Sequence, residues 1–181
     1  MTLLDKYKKI ALSNFDLLEL VEGNAKVVLY PDMWKYSSID ELLYPFNACF
    51  LLFETSPKFG HWCALIKYGD TVEFFDSYSS YPDDTLQFIP NDFRKVSNQN
   101  YPYLTALLYE CPYKLEFNDK KYQSKNKNIN TCGRHCACRI LFKHLNLEEY
   151  DYLIKCVSDM INGNADDAVT AITIAMSEGN I

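Results

Sequence analysis

The stretch from Gly60 to Asp76 leaves the chain the fewest choices. It holds two runs rich in aromatic and β-branched residues, Gly60 to Tyr68 and Thr71 to Asp76, separated by Gly69-Asp70. Such runs favour extended backbone, and a two-residue turn of this composition joins strands into a hairpin. A two-residue loop also sets the register. Tyr68 falls opposite Thr71, Leu65 opposite Phe74 and Cys63 opposite Asp76. Side chains alternate along a strand, so His61 and Cys63 share a face. Asp76 lies on that face, diagonal to His61, and diagonal neighbours are about 7–8 Å apart, within reach of long side chains. A one-residue bulge would send Asp76 to the opposite face.

A second stretch adds a thiol. In Asn130-Thr131-Cys132-Gly133-Arg134-His135-Cys136-Ala137-Cys138-Arg139, a loop gives way to a helix. Asn130 or Thr131 is expected to cap it, because their side-chain oxygens accept first-turn N–H groups. Cys132 then stands in the first turn, where the aligned peptide dipoles favour negative charge and ease loss of the thiol proton. Gly133 leaves room beside it for another chain to approach. Further along, Ala137, Ile140 and Leu141 are expected to face a core, and Arg134, Arg139 and Lys143 to face water.

Around these two stretches the pattern reads as helices, then strands, then helices. Leu3 to Ala11 carries a helical stripe. Ser13-Asn14 caps a helix over Phe15 to Val21, closed by Gly23. Lys26 to Tyr30 is a strand stopped by Pro31, and Ser38 to Glu41 is a capping-box pattern. Ala48 to Phe53 is a continuous apolar run suited to a central strand. Tyr81 to Asp84 is a turn that opens a helix through Ile89. Tyr101 to Tyr109 is helical with Pro102 near its start. Tyr113 to Phe117 is a strand, Asn118-Asp119 is a turn, and Lys121 to Gln123 is a segment that can pair back. Helices follow over Leu147 to Ile161 and Ala165 to Met176. With no repeat, linker or low-complexity tract, residues 1–181 form one α+β domain, a mixed, mostly antiparallel sheet packed against helices.

Composition narrows the functional classes. The chain has 181 residues, 48% hydrophobic and 15% aromatic, enough for a substantial core. No apolar run approaches the roughly 20 residues of a membrane span, and the N-terminal residues lack the pattern of a secretion signal. Seven cysteines cannot all pair, so free thiols in a reducing compartment are expected. A net charge of −6 argues against a sequence-independent grip on nucleic acid. The local basic cluster Lys120, Lys121, Lys125 and Lys127 reads as a solvated loop.

A thiol at a helix start, a histidine, and an acid placed to orient that histidine form the nucleophile–base–orienter set of covalent catalysis. The residues that carry this set also carry a resemblance. Gly60-His61-Trp62, then Phe74-Phe75-Asp76-Ser77-Tyr78, then Gln123-Ser124, then Asn130-Thr131-Cys132-Gly133 with Cys136 are similar to the adenovirus protease and ubiquitin-like-protein protease superfamily. They are most similar to the capsid-maturation proteases of virophages and Polinton-type elements. The order His, acid, Gln, Cys is that superfamily's, and the motifs span roughly residues 13 to 143. The resemblance implies an adenovirus-protease-like fold with the nucleophile at the N-terminus of a central helix. It implies Cys132 as nucleophile, His61 as base, Asp76 as orienter and Gln123 as oxyanion donor beside the Cys132 backbone N–H. Trp62 and Gly133 would border the substrate channel, which admits small, Gly-Gly-like residues before the scissile bond. A core tryptophan is the other reading of Trp62.

The implied activity is that of a cysteine endopeptidase processing capsid or virion precursors, without a cofactor or metal. It would act in the cytoplasmic virus factory of the host and in the virion, away from membranes. Two features depart from the pattern. Gln123 lies nine residues before Cys132, a wide spacing, and Ser79 stands where relatives often have Gly. A peptide activator, as the adenovirus enzyme has, stays open with no residue assigned to it, and the acidic balance gives no support for a DNA activator. A deubiquitinase-like or ubiquitin-like-protein isopeptidase is the alternative within the same chemistry. A zinc module using Cys132, His135, Cys136, Cys138 and His144, or a non-catalytic interaction module, is the alternative outside it. One continuous helix, however, cannot wrap a tetrahedral ion.

Overall fold

In the computed structural model, which describes residues 2–179, a five-stranded mixed sheet is covered by helices on both faces. The strands are β1 (Lys26–Leu29), β2 (Ala48–Ser56), β3 (Phe59–Tyr68), β4 (Thr71–Phe75) and β5 (Lys114–Phe117), in the spatial order β1-β2-β3-β4-β5. The centre is the antiparallel run β2–β3–β4, and β1 and β5 add to its two edges in parallel. The β3–β4 hairpin has the register read from its turn, with Tyr68 opposite Thr71 and Leu65 opposite Phe74. β2 is apolar through Phe53 because both of its faces are covered, as a doubly buried strand requires.

The helices are α1 (Leu3–Tyr7), α2 (Asn14–Leu20), α3 (Ile39–Leu43), α4 (Asn91–Val96), α5 (Tyr103–Glu110), α6 (Cys132–Leu141), α7 (Leu147–Met160) and α8 (Ala165–Ser177), with 3-10 turns at Tyr30–Lys35 and Asp84–Phe88. On one face α2, α6, α7 and α8 bury Phe50, Trp62, Ala64, Ile66 and Phe75. On the other, α3, α5 and the Tyr30–Lys35 turn bury Leu51, Phe53, Cys63, Leu65 and Phe74. Reciprocal capping boxes start α2, α7 and α8 at Ser13, Asn146 and Asn164, each satisfying two otherwise unpaired backbone donors.

Several elements differ from the sequence reading. α1 ends at Tyr7, so the stripe toward Ala11 is not helical. At Ser38 only half a capping box forms: Ser38 accepts from the Glu41 N–H, but Glu41 turns to the backbone and hydroxyl of Ser37. α4 has no fully buried residue and so no apolar stripe to announce it. Lys121 to Gln123 forms no strand; the Tyr122 and Gln123 N–H groups both donate to the Ser77 carbonyl, at 2.9 and 3.0 Å.

The largest difference lies on α6. Arg134 and Arg139, expected in water, are both buried. Arg139 makes a two-pronged pair with the buried Glu73 of β4, both N–O distances 2.8 Å, and its remaining donors reach the Phe142 and Leu145 carbonyls. Such full pairing offsets the cost of burying the Arg139 guanidinium. The pair ties the C-terminal half of α6 to the hairpin. Arg134 donates to Thr173 on α8 at 2.6 Å and to the Tyr7 carbonyl.

Candidate active site

The hairpin brings His61 and Asp76 together as its register requires. His61 lies near the start of β3, beyond the last β3–β4 pair at Ala64 and Phe75, so its ring is not covered by β4. Its Nε2 is 3.0 Å from Asp76 Oδ1. A carboxylate only accepts, so Nε2 carries a proton and Nδ1 is left for the thiol. Asp76 is fully buried. Its Oδ1 also accepts the Tyr78 N–H at 2.7 Å, and its Oδ2 accepts the Cys63 thiol at 3.7 Å. The Tyr78 ring stacks on His61, centroids 5.3 Å apart, and restricts its rotation.

Cys132 is the first residue of α6. Thr131 precedes it but does not cap the helix with its side chain. Its hydroxyl donates instead to Asp166 on α8, and the Asn130 amide reaches back to the Lys9 carbonyl. The first-turn N–H groups of α6 are therefore not taken by a capping oxygen. Burial would raise the Cys132 pKa above its ordinary 9.0, yet the pKa is lowered, by His61 and by the backbone N–H groups of Trp62 and Gly133. Burial would likewise hold the His61 pKa down, but the Asp76 carboxylate and the Cys132 sulfur raise it to about 10. Each group favours the charged form of the other, as in a thiolate–imidazolium pair.

Gln123 completes the set from the loop before α6. Its Oε1 accepts the Ser77 hydroxyl at 2.8 Å, and its Nε2 donates to the Ile129 carbonyl at 3.3 Å. The Ile129 carbonyl only accepts, so the amide orientation is settled; the second Nε2 proton has no partner among the described residues, and Gln123 borders the same cavity as Cys132. The wide spacing to Cys132 is accommodated by the loop, which doubles back through a turn where the Ile129 N–H meets the Asn126 carbonyl.

Two cavities meet at Cys132. One, of about 450 Å³, is bordered by Leu12, Phe15, Leu29, Leu52, Trp62 and Gly133. The other, of about 780 Å³, is bordered by His61, Tyr78, Gln123 and the lysines of the loop. Trp62 is both a core and a cavity residue: buried edge-on against Phe50, with one side in the smaller cavity. The chain that approaches Gly133 is this protein's own. A Cβ there would lie 3.2 Å from Leu17 and 3.3 Å from Trp62, so glycine lets α6 sit tightly against both. Gly60 has a stricter reason: a Cβ would lie 1.8 Å from the Phe53 carbonyl oxygen on β2.

Three supporting residues escaped the sequence reading. Asn118, read as a turn, clasps the backbone of Asp76, accepting its N–H at 2.9 Å and donating to its carbonyl at 2.7 Å. Ser77 holds Gln123. Asp166 accepts from the Ser124 N–H, the Thr131 hydroxyl and His135 Nε2, so one buried carboxylate holds the residue after Gln123 and the residue before Cys132. Asp166 lies in the first turn of α8, where a negative charge is favoured whatever its partners, so its position alone gives no sign of this role.

The other thiols differ from Cys132. Cys136 and Cys138 are buried and their pKa values raised, the first well above 9.0 and the second to about 12. Cys136 donates to the Trp62 carbonyl at 3.3 Å, a packing role. The helix cysteines and histidines do not converge. Among the described residues, the one group of three possible metal-binding side chains is His61, Cys63 and Asp76. There Cys63 is a hydrogen-bonded thiol whose pKa burial drives well above 9.0.

Among sequences of known proteins, the chain is similar to the uncharacterized protein V9 of Sputnik virophage, 47% identical over 169 residues that cover 93% of this chain and 97% of that protein. No protein-family model matches. Among the described residues, no helix is long and apolar enough to cross a membrane.

Proposed function

The chain belongs to the family of Sputnik virophage protein V9, and from its site we propose that it is a cysteine endopeptidase of the adenovirus-protease and ubiquitin-like-protein protease type. The observation that carries this reading is the meeting of the His61–Asp76 hairpin with Cys132 at the start of α6, with the His61 pKa raised and the Cys132 pKa lowered by one another.

In the proposed reaction the Cys132 sulfur attacks the peptide carbonyl carbon. The oxygen gains negative charge and meets the free Gln123 Nε2 proton and the Cys132 backbone N–H. His61 gives its proton to the amide nitrogen, the C–N bond breaks, and the amine product leaves. Water then attacks the thioester while His61 takes its proton, the C–S bond breaks to restore the Cys132 thiolate, and the acid product departs. Asp76 keeps its hydrogen bond from His61 Nε2 throughout and balances the imidazolium.

The substrate class is proposed as capsid or virion precursors, supported by the virophage relative and by the resemblance of the site motifs. Small residues before the cut are proposed from the resemblance of the motifs alone; Trp62 and Gly133 border the apolar cavity beside Cys132. The test is incubation of a co-expressed capsid precursor with wild-type protein and with Cys132→Ala, followed by mass spectrometry of the products. A panel of ubiquitin-like fusions run in parallel decides the isopeptidase alternative. Defined products with the wild type, absent with the variant, are expected. If alkylation at neutral pH shows no preference for Cys132 among the seven free thiols, the reading fails. Metal analysis of the purified protein tests the zinc alternative, whose expected ligands Cys132, His135, Cys136, Cys138 and His144 do not cluster; among the described residues only His61, Cys63 and Asp76 do.

A further inference from the structure

We propose that the larger cavity beside Cys132 receives the segment that follows the scissile bond and selects acidic side chains there. This rests on the endopeptidase reading and adds a substrate chemistry to it. Direction comes from the proton. His61 must hand its proton to the leaving nitrogen, so the leaving half of the substrate departs on the side that His61 lines. That side is the 780 Å³ cavity; the acyl half lies toward the apolar cavity of about 450 Å³.

The leaving side carries three lysines where the acyl side has Lys58 alone. Lys121, Lys125 and Lys127 border it and are exposed. Among the described residues, none of the three is in an ion pair, whereas Lys8, Lys35, Lys67, Lys114 and Lys120 each pair with a carboxylate. In a chain of net charge −6, three unpaired ammonium groups therefore face one cavity. Asp84, also on its border, already accepts the Tyr81 N–H at 3.0 Å. The lysines sit on the same loop as Gln123, so an acidic segment held there would also brace the oxyanion donor. A nucleic acid is the other polyanion the lysines could meet. Three ammonium groups offer few phosphate contacts beside the roughly 6–10 of strong binders, and such an occupant would cover His61 and Cys132.

The test uses Cys132→Ala as a binding-competent protein that cannot turn over. Fluorescein-labelled peptides share a Leu-Ala-Gly-Gly segment, followed by an acidic, a neutral or a basic tail, and are titrated by anisotropy at low and high salt. Solvent-exposed pairs are individually weak, so the acidic tail is expected to bind about tenfold tighter than the neutral one. The difference should shrink at high salt and vanish when Lys121→Glu, Lys125→Glu and Lys127→Glu are combined. Equal binding of acidic and neutral tails, no binding of the acidic peptide, or a preference that survives the triple substitution overturns the proposal. So does a single-stranded oligonucleotide that binds more tightly than the acidic peptide through the same lysines. Wild-type protein with the same peptides separates the two readings. Lysine-dependent acidic binding without cleavage or selective Cys132 alkylation leaves the cavity assignment standing and removes the endopeptidase. Cleavage indifferent to tail charge does the reverse.

Discussion

Asp76→Asn isolates the electrostatic part of the site. Asp76 Oδ1 accepts both His61 Nε2 and the Tyr78 N–H, whereas Oδ2 meets only the Cys63 sulfur. An asparagine therefore settles with its oxygen at the Oδ1 position and its NH₂ toward Cys63. Ring orientation and tautomer survive; the negative charge does not. Without it, burial and the loss of the carboxylate return His61 to the neutral form, and Cys132 loses its principal partner. A thiol at its ordinary value of 9.0 is about 1% ionised at pH 7, so the thiolate fraction falls by up to about a hundredfold, about 2.7 kcal/mol. The more basic thiolate is a better nucleophile and recovers roughly tenfold of that. Iodoacetamide labelling of Cys132 at pH 7 should then slow about tenfold, and its pH midpoint should rise. Peptide hydrolysis should suffer more, at least about 10² in kcat, because neutral His61 must first take the Cys132 thiol proton, without a carboxylate to stabilise the imidazolium, before it can protonate the leaving group. KM should change little, since Asp76 borders neither cavity. Near-UV circular dichroism checks that the variant is folded. A folded Asp76→Asn protein with the wild-type labelling midpoint would refute the claim that this carboxylate sustains the pair.

Gln123→Ala should lower kcat about 10²–10³ fold, the usual cost of one oxyanion donor, while Cys132 labelling stays at the wild-type rate; comparison of the two assays checks it. Asp166→Asn should lower kcat with KM nearly constant, because its NH₂ would face either the Ser124 N–H or the donors at Thr131 and His135 and loosen the Gln123 loop. Asp166→Ala should also cost about 3 kcal/mol or more in urea unfolding, since it leaves several buried donors unpaired at about 1–3 kcal/mol each. The pH profile of kcat/KM should be a bell. Its acid limb marks protonation of the Cys132 thiolate, below the ordinary 9.0, and its alkaline limb marks loss of the His61 proton at about 10. A profile without an acid limb contradicts the pair.

Much of the site was legible because it depends on local rules. Strand alternation and a two-residue turn were enough to place His61, Cys63 and Asp76 together, and a loop-to-helix transition was enough to put Cys132 at a helix start. The failures share a cause. Thr131 was read as a cap because capping is a local preference, but a buried carboxylate 35 residues later competes for its hydroxyl. Arg139 was read as exposed because charge favours water, until Glu73 and two carbonyls supply partners. The loop lysines read as a solvated surface because sequence does not reveal that their loop borders a cavity. Asn118 read as a turn because its side chain completes a sheet edge that exists only after β5 pairs with β4.

By itself, the sequence determined the α+β class, the hairpin register, and the residue types able to perform thiol chemistry, because each of these follows from interactions between near neighbours. Only the tertiary structure decided that the Cys132 helix meets the open end of β3, that Asp166 joins the Gln123 and Cys132 segments, and that three lysines border one side of the cleft. Those are contacts between distant segments. Their energies depend on burial and on the partners available in three dimensions, which no local pattern contains.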